Sequence, residues 1–479
     1  MSSRTDRAAQ HLTTTANVLT GDVVRPGDSG YEEARVGWNR LYSRYPEAIV
    51  FCCDTQDVVN AVRWAREEGI ALRARSGRHS LDGWSSLDGG LVIDVSRMKD
   101  IVIDESARTA TVGTGLTQME TVAALGQHGF AVPTGSEGGV GLGGVILGGG
   151  FGLLTRSMGM ACDNLLAAEV VVADGARSAK VVEATEHRNS DLLWACRGGG
   201  GGNFGIATSY TLRLHELSNV TFLVARWSGH GDLADLLRAW QREAPVADNR
   251  LTSALEADST AVELSALLYG GSRRELEDQL RSLLAIGSPE VTVTEDAWPT
   301  VYGDVDRGPN DVPFWKFYSQ FVTRPLPDEA IDLIVRFMDN TPSPPSNFFC
   351  SSFGGAVRHA PPGGSAFPHR DALFYCEPGA AWNDPALNSA ALGWAADFWR
   401  ALRPYGDGAY VNVPNAAASD WEREYYGSHR ERLREVKATY DPENVFNFEQ
   451  SVPLSPADPS RALRWGDGGQ PKSQGQGSP

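Results

Sequence analysis

The chain has 479 residues, 42% apolar and 22% charged, which is the composition of a globular protein long enough for two or three domains. A net charge of −17 argues against nucleic acid or anionic lipid as a partner, and no apolar run approaches the roughly eighteen residues needed to span a bilayer. Six cysteines without CxxC spacing indicate neither a zinc site nor a disulfide framework, and the polar N-terminus has no secretory pattern, so a cytoplasmic protein acting on small molecules is expected.

Residues 1–19 and 453–479 have linker composition, and a flexible front and a disordered tail are expected. An apolar run at 48–53 predicts a strand, after which Asp54 or Thr55 caps a helix over 56–68 that stops at Gly69. A strand-like run at 70–74 then feeds the segment Arg73-Ala74-Arg75-Ser76-Gly77-Arg78-His79-Ser80-Leu81-Asp82-Gly83-Trp84, a tight turn bending at Gly77 and Gly83. Backbone N–H groups in such a turn can wrap a pyrophosphate, and a histidine held there meets the far end of the same ligand. A surface turn carrying an ordinary histidine is the other reading. Short strands follow near 91–95, 101–104 and 108–113, then a helix over 118–127 that ends before Gly129.

Between Gly135 and Gly152, ten of eighteen residues are glycine, a density that makes sense only where backbone must approach something closely. One slice, Gly139 to Gly144, matches GxGxxG. It reads as a decoy, because Pro133-Thr134-Gly135-Ser136-Glu137 precedes it where a dinucleotide fingerprint needs an apolar strand, and more glycines follow it where a long helix should open. A β-branched run at 164–174 ends in Asp174-Gly175, a hairpin signal with Val181-Val182 on the return strand. A short helix over 191–196 leads into a second glycine belt at 198–202, followed by a strand at 206–215.

From 216 to 408 the character changes: helices near 232–242, 273–285 and 327–339 alternate with strand-like runs such as 261–268, and 341–366 is dense in Pro and Gly. A strand over 371–377 places Tyr375 and Glu377 on one face. The whole is an α+β pattern, with this middle block as a second domain.

Four of these blocks, in order, resemble the berberine-bridge-enzyme-like branch of the FAD-linked oxidases in the vanillyl-alcohol-oxidase superfamily. They are the His79 turn, the belt from Gly143 to Gly152, the stretch from Asp191 to Gly205, and a C-terminus containing Tyr425-Tyr426-Gly427 and Tyr440-Asp441-Pro442-Glu443-Asn444-Val445-Phe446-Asn447-Phe448-Glu449-Gln450-Ser451. The resemblance implies an α+β fold with a two-piece PCMH-type FAD-binding domain, 20–215 completed by 409–452, and a substrate-binding domain at 216–408 whose antiparallel sheet is backed by helices. It implies FAD as cofactor, bonded through His79 to the isoalloxazine 8-methyl group. By position, FAD would meet Arg75, Ser76, Gly77, Arg78, Ser80 and Gly83 in the turn, and Gly143, Gly144, Gly149, Gly150 and Gly152 in the belt. Ile206 would lie near the adenine side, Asn444 and Phe446 would close the site, and Val140 would sit beside flavin N5, where a small β-branched side chain favours oxidase behaviour. Two departures stand out. Many members carry a second link to flavin C6 through a cysteine at the place held here by Glu137; Cys162 lies beyond the belt and reads as a packed thiol, leaving His79 as the single covalent link. Arg78 stands where a glycine is commoner.

The resemblance further implies hydride transfer from a C–H next to O or N of an alcohol, sugar or natural-product intermediate to flavin N5, with O2 reoxidation giving H2O2. For the base, Tyr410 occupies the strand where the family often keeps a catalytic tyrosine, a buried core tyrosine being the other reading. Tyr375 and Glu377, after the family-like Phe367-Pro368-His369-Arg370, are the next candidates, one as base and one as substrate ligand, with a structural ion pair also open for Glu377. His369, Arg370 and His429 read as structural. A dehydrogenase with another electron acceptor and an oxidative cyclase of secondary metabolism would use the same site. A flavin-free binding protein would be colourless. A small-molecule substrate and O2 are the implied partners, with no nucleic acid, membrane or metal; substrate identity and oligomeric state leave no motif.

Overall fold

The computed structural model describes residues 19–455 apart from 176, 217–218, 306–311 and 344, so the flexible front over 1–19 and the disordered tail over 453–479 fall almost wholly outside the described residues. The first sheet has the strand order Asp22–Val24, Ala48–Phe51, Leu91–Asp94, Leu72–Arg75, its last three strands parallel. Ala48–Phe51 and Leu91–Asp94 are buried along their whole length, as central strands covered on both faces must be. The helix Thr55–Glu68 makes the crossover. Asp54 caps it by accepting the Asp57 N–H, Gly69 ends it at φ 69°, and Val58, Ala61, Val62 and Ala65 form its apolar stripe against the sheet. That crossover delivers the chain to Leu72–Arg75, whose far end releases the His79 turn.

The second sheet is antiparallel, in the order Ile101–Asp104, Thr109–Gly113, Ile206–Arg213, Leu165–Asp174, Ser178–Thr185. Its last two strands are the hairpin announced by Asp174-Gly175, with Val170 opposite Val182. Val171, Ala173 and Ile206 of this sheet share one core cluster with the Thr55–Glu68 helix, which therefore packs against both sheets.

The third sheet has eight strands. Its path runs Glu290–Ala297, Asn219–Ser228, Ala261–Tyr269, Leu251–Ala257, Asn347–Ser352, Phe374–Trp382, Phe314–Phe317, and Gln320–Val322 also pairs with Phe374–Trp382. Period-two alternation sorts its side chains. Leu223, Leu255, Phe348, Cys350, Phe374 and Cys376 turn toward the helices Leu233–Glu243, Asp328–Met338 and Asn388–Leu402. The intervening residues turn the other way and face the glycine belts. The helix Asn388–Leu402 has no counterpart among the sequence-based expectations. Gly393 at its centre and apolar residues on most sides obscure its period, although Ala391, Ala395, Phe398 and Leu402 bury at helical spacing. The belt also holds a short helix, Leu142–Gly148; Leu142, Ile146 and Leu147 anchor it in the core of the second sheet. No helix among the described residues is long and apolar enough to cross a membrane.

Candidate functional site

A cavity of about 960 Å³ is lined by residues of the three larger sheets, both glycine belts and the C-terminal segment. At one end lies the His79 turn. The Arg75 guanidinium is buried against Asp94, its Nε 2.6 Å from the carboxylate, while Nη1 and Nη2 are buried with no protein partner. A buried guanidinium with a spare fork is a donor pair built for an anion. Ser76 Oγ donates to the Thr114 carbonyl at 2.7 Å, holding the next residue down. Gly77 and Gly141 then cross backbone to backbone, so closely that a Cβ on either would run into the other. Arg78 adopts φ 63°, the left-handed region that favours glycine. Here its guanidinium reaches out to the Glu33 carbonyl at 3.0 Å.

His79 is stacked on Trp38, centroids 5.3 Å apart and planes 22° apart, and burial pushes its pKa down to about 4. The ring is therefore neutral near pH 7 and keeps a nitrogen lone pair for bond formation. Its Nε2 abuts Gly139, next to Val140.

The C-terminal segment is stitched onto the second belt by a buried ammonium. Lys437 Nζ donates to Asp441 Oδ2, the Asn203 carbonyl and the Phe446 carbonyl, at 2.6, 2.7 and 2.6 Å. Asp441 in turn accepts the backbone N–H groups of Val445 and Phe446 at 2.8 and 2.9 Å. This network sets Phe446 on the cavity wall.

On the far side, the third sheet presents Tyr375 and Glu377 from Phe374–Trp382, Trp315 and Phe317 from Phe314–Phe317, Glu256 from Leu251–Ala257 and Glu263 from Ala261–Tyr269. The Tyr375 hydroxyl donates to Glu377 Oε2. Burial lifts the Glu377 carboxyl to about 7; the Tyr375 hydrogen bond opposes the rise, and the charges of Glu256 and Glu137 add to it. Burial and Glu377 hold the Tyr375 phenol well above its ordinary value.

Of the residues singled out by sequence, Arg75, Ser76, Gly77, Arg78, His79, Ser80, Val140, Gly143, Gly144, Gly152, Ile206, Phe446, Tyr375, Glu377 and Tyr410 all line the cavity. Four do not. Gly83 (φ 71°) backs onto the Tyr42 side chain, so its role is to let the turn pass that ring. Gly149 and Gly150 lie behind the wall, where the Gly150 N–H donates to the Tyr410 hydroxyl at 2.7 Å. Asn444 (φ 53°) shapes the C-terminal turn and gives its carbonyl to Asn447, which lines the cavity in its place.

Tyr410 Oη also accepts from Asn412 Nδ2 at 3.0 Å, and burial drives its pKa up. Cys162 is buried beside Met160, Tyr410 and Phe353, apart from the cavity lining. Glu137 does line it. His369 is stacked on Phe321 at 4.2 Å, and Arg370 forms a part-buried fork with Asp163 at 2.6 Å, in keeping with structural roles. Sequence reasoning gave no role to Trp38, Glu256, Glu263 or Asn447, which also line the cavity; the first three sit in no motif, and Asn447 lies in the C-terminal motif.

The sequence model of the FAD binding domain family matches residues 46–178, and that described as berberine and berberine like matches 409–453. The FAD-linked oxidoreductase YgaK of Bacillus subtilis (strain 168) is 39% identical over 439 residues, 91% of this chain and 97% of the relative. Among solved structures, wild-type BBE-like 1 of Physcomitrella patens superposes with a TM-score of 0.85 at 29% identity, covering 93% of this chain and 99% of the other. The glycopeptide hexose oxidase DBV29, solved with teicoplanin, gives 0.83 at 26% identity, covering 91% and 99%.

Proposed function

The chain belongs to the berberine-bridge-enzyme-like FAD-linked oxidoreductases, and on that premise we propose that it is an oxidase in which FAD is bonded to His79 and Glu377 takes the substrate proton through Tyr375. Bound FAD supplies a hydride acceptor at N5 and, reoxidised by O2, hydrogen peroxide as product. The residues present fit that group: Arg75 offers a buried fork to an anion, the Gly77–Gly141 crossing lets backbone approach it, and neutral His79 is a competent nucleophile. We assign the cofactor to 20–215 with 409–452, and the substrate to 216–408.

The observation that carries the catalytic reading is the buried Tyr375–Glu377 pair in the cavity wall. A substrate hydroxyl beside Tyr375 can pass its proton to the phenol oxygen as the phenol proton moves to Glu377. A carboxylate poised near 7 is matched to neutral pH, where half of it is ready to accept. Tyr410 is a poorer base: its oxygen already receives two donors, and its pKa is raised. Its part is to hold the belt at Gly150.

A hydroxylated substrate, either a sugar or a natural product, agrees with an aromatic wall at Phe317 beside the acids Glu256, Glu263 and Glu377. It agrees as well with the structural likeness to a glycopeptide hexose oxidase. Free cysteines, five of the six buried, suit the cytoplasm. Peroxide release on a panel of sugars and secondary metabolites tests the oxidase reading. Turnover with an artificial electron acceptor but no peroxide would replace it with a dehydrogenase.

A further inference from the structure

Residues 37–42 form a strap between the His79 turn and the strand Phe314–Phe317. The Trp38 N–H donates to the Arg78 carbonyl at 2.9 Å, and the Arg40 N–H to the Pro313 carbonyl at 2.8 Å. Asn39, 2% exposed, sits between them. Its Nδ2 donates to the Leu81 carbonyl at 2.7 Å and the Trp315 carbonyl at 2.9 Å, while its Oδ1 accepts the Trp315 N–H at 3.2 Å. Below the strap, Asp82 Oδ1 accepts from Lys316 Nζ at 2.7 Å and from the Tyr42 hydroxyl at 2.9 Å. Both charged side chains are buried, at 2% and 8% exposure.

The side chains of this region form a ladder. His79 stacks on Trp38, Trp38 on Trp315 and Trp315 on Phe317, with centroids 5.3, 5.5 and 5.1 Å apart and interplanar angles of 22°, 26° and 19°. The two middle rungs are carried by the residues that Asn39 and Lys316 adjoin in sequence. Thus the rotation of His79 is limited by rings whose backbones are pinned through one amide and one ion pair.

We infer that Asn39, Asp82 and Lys316 are positioning residues for the His79 imidazole, a role that rests on the reading of His79 as the attachment point. A buried ion pair adds little net stability over apolar residues of the same shape; what it can supply is one defined docking geometry. Bond formation between a bound cofactor and a side chain depends on that geometry: a misplacement of about 1 Å can cost on the order of 100-fold in rate.

The test follows attachment directly. Apoprotein from riboflavin-starved cells is mixed with FAD, and flavin fluorescence on the denatured polypeptide is followed in time, alongside total flavin bound per native chain. The double variant D82N/K316M removes both charges together. It is expected to bind FAD at wild-type stoichiometry and attach it about 100-fold more slowly. K316R on its own, which keeps the pair, should recover most of the rate. Attachment at the wild-type rate in the double variant overturns the inference. If that variant does not fold, Asn39→Ser decides: it keeps the ion pair and is expected to show the same slowing, and a wild-type rate overturns the proposal. Wild-type protein that releases all its FAD on denaturation rejects the His79 reading and this inference with it, an outcome distinct from covalent wild type with an equally fast variant.

Discussion

Tyr375 and Glu377 lie two residues apart on one strand, so they share a face, and the phenol donates to the carboxylate inside the cavity. Alternation makes this arrangement possible, and burial sets its chemistry.

Glu377 is lifted to about 7 by burial, against the Tyr375 hydrogen bond and with help from Glu256 and Glu137. With the Glu377 carboxylate proposed as the acceptor, kcat/KM is expected to rise with pH around a midpoint near 7 and to fall below it as the group protonates. Glu377→Gln should remove that limb and lower kcat by about 100-fold or more. Glu256→Gln should move the midpoint down. Because the folded value lies above the ordinary 4.5, the native chain holds this proton to higher pH than the unfolded one, and the group lowers stability as pH rises from 4.5 to about 7. Steady-state pH profiles check the first three points and melting curves the last.

Tyr410→Phe separates a belt-holding role from a catalytic one. Loss of the acceptor for the buried Gly150 N–H should cost about 1–3 kcal/mol, seen as a lower Tm, with the pH midpoint unmoved. A 100-fold loss of kcat at unchanged Tm would make Tyr410 the base instead.

Arg75→Lys keeps a charge beside Asp94 but loses the fork. FAD affinity is expected to fall by roughly 10- to 100-fold, the equivalent of about 1.5–3 kcal/mol. Titration of a His79→Ala background, in which FAD stays exchangeable, measures this without interference from attachment.

Gly141 and Gly144 are expected to respond differently. A Cβ at Gly141 strikes the Gly77 backbone, so Gly141→Ala should lower Tm even without FAD, whereas a Cβ at Gly144 meets no protein atom within 4 Å. Gly144→Ala should melt like wild type as apoprotein and lose the extra stability that FAD confers, since Gly144 lines the cavity. Paired melting curves with and without FAD distinguish the two.

The His79 turn was legible because its signal is local: a short strand, closely spaced glycines and one histidine occupy fewer than twenty consecutive residues. So was the hairpin after Asp174. What holds the turn was not, because Lys316 meets Asp82 across 234 positions and Asn39 meets Trp315 across 276, contacts that exist only once the third sheet has docked. Glycine density marked the belt but not the side each glycine takes: Gly143 and Gly144 line the cavity, while Gly149 and Gly150 lie against Tyr410. At the C-terminus the asparagine on the cavity wall is Asn447, three positions past Asn444, because the Asp441 network uses Asn444 to make the turn.

The single bond proposed between FAD and His79 is decided by denaturing the purified protein in acid and SDS and viewing flavin fluorescence on the gel. Fluorescence that stays with the wild-type band and is absent from His79→Ala is the predicted result. Wild-type protein that releases all its flavin as free FAD would contradict it.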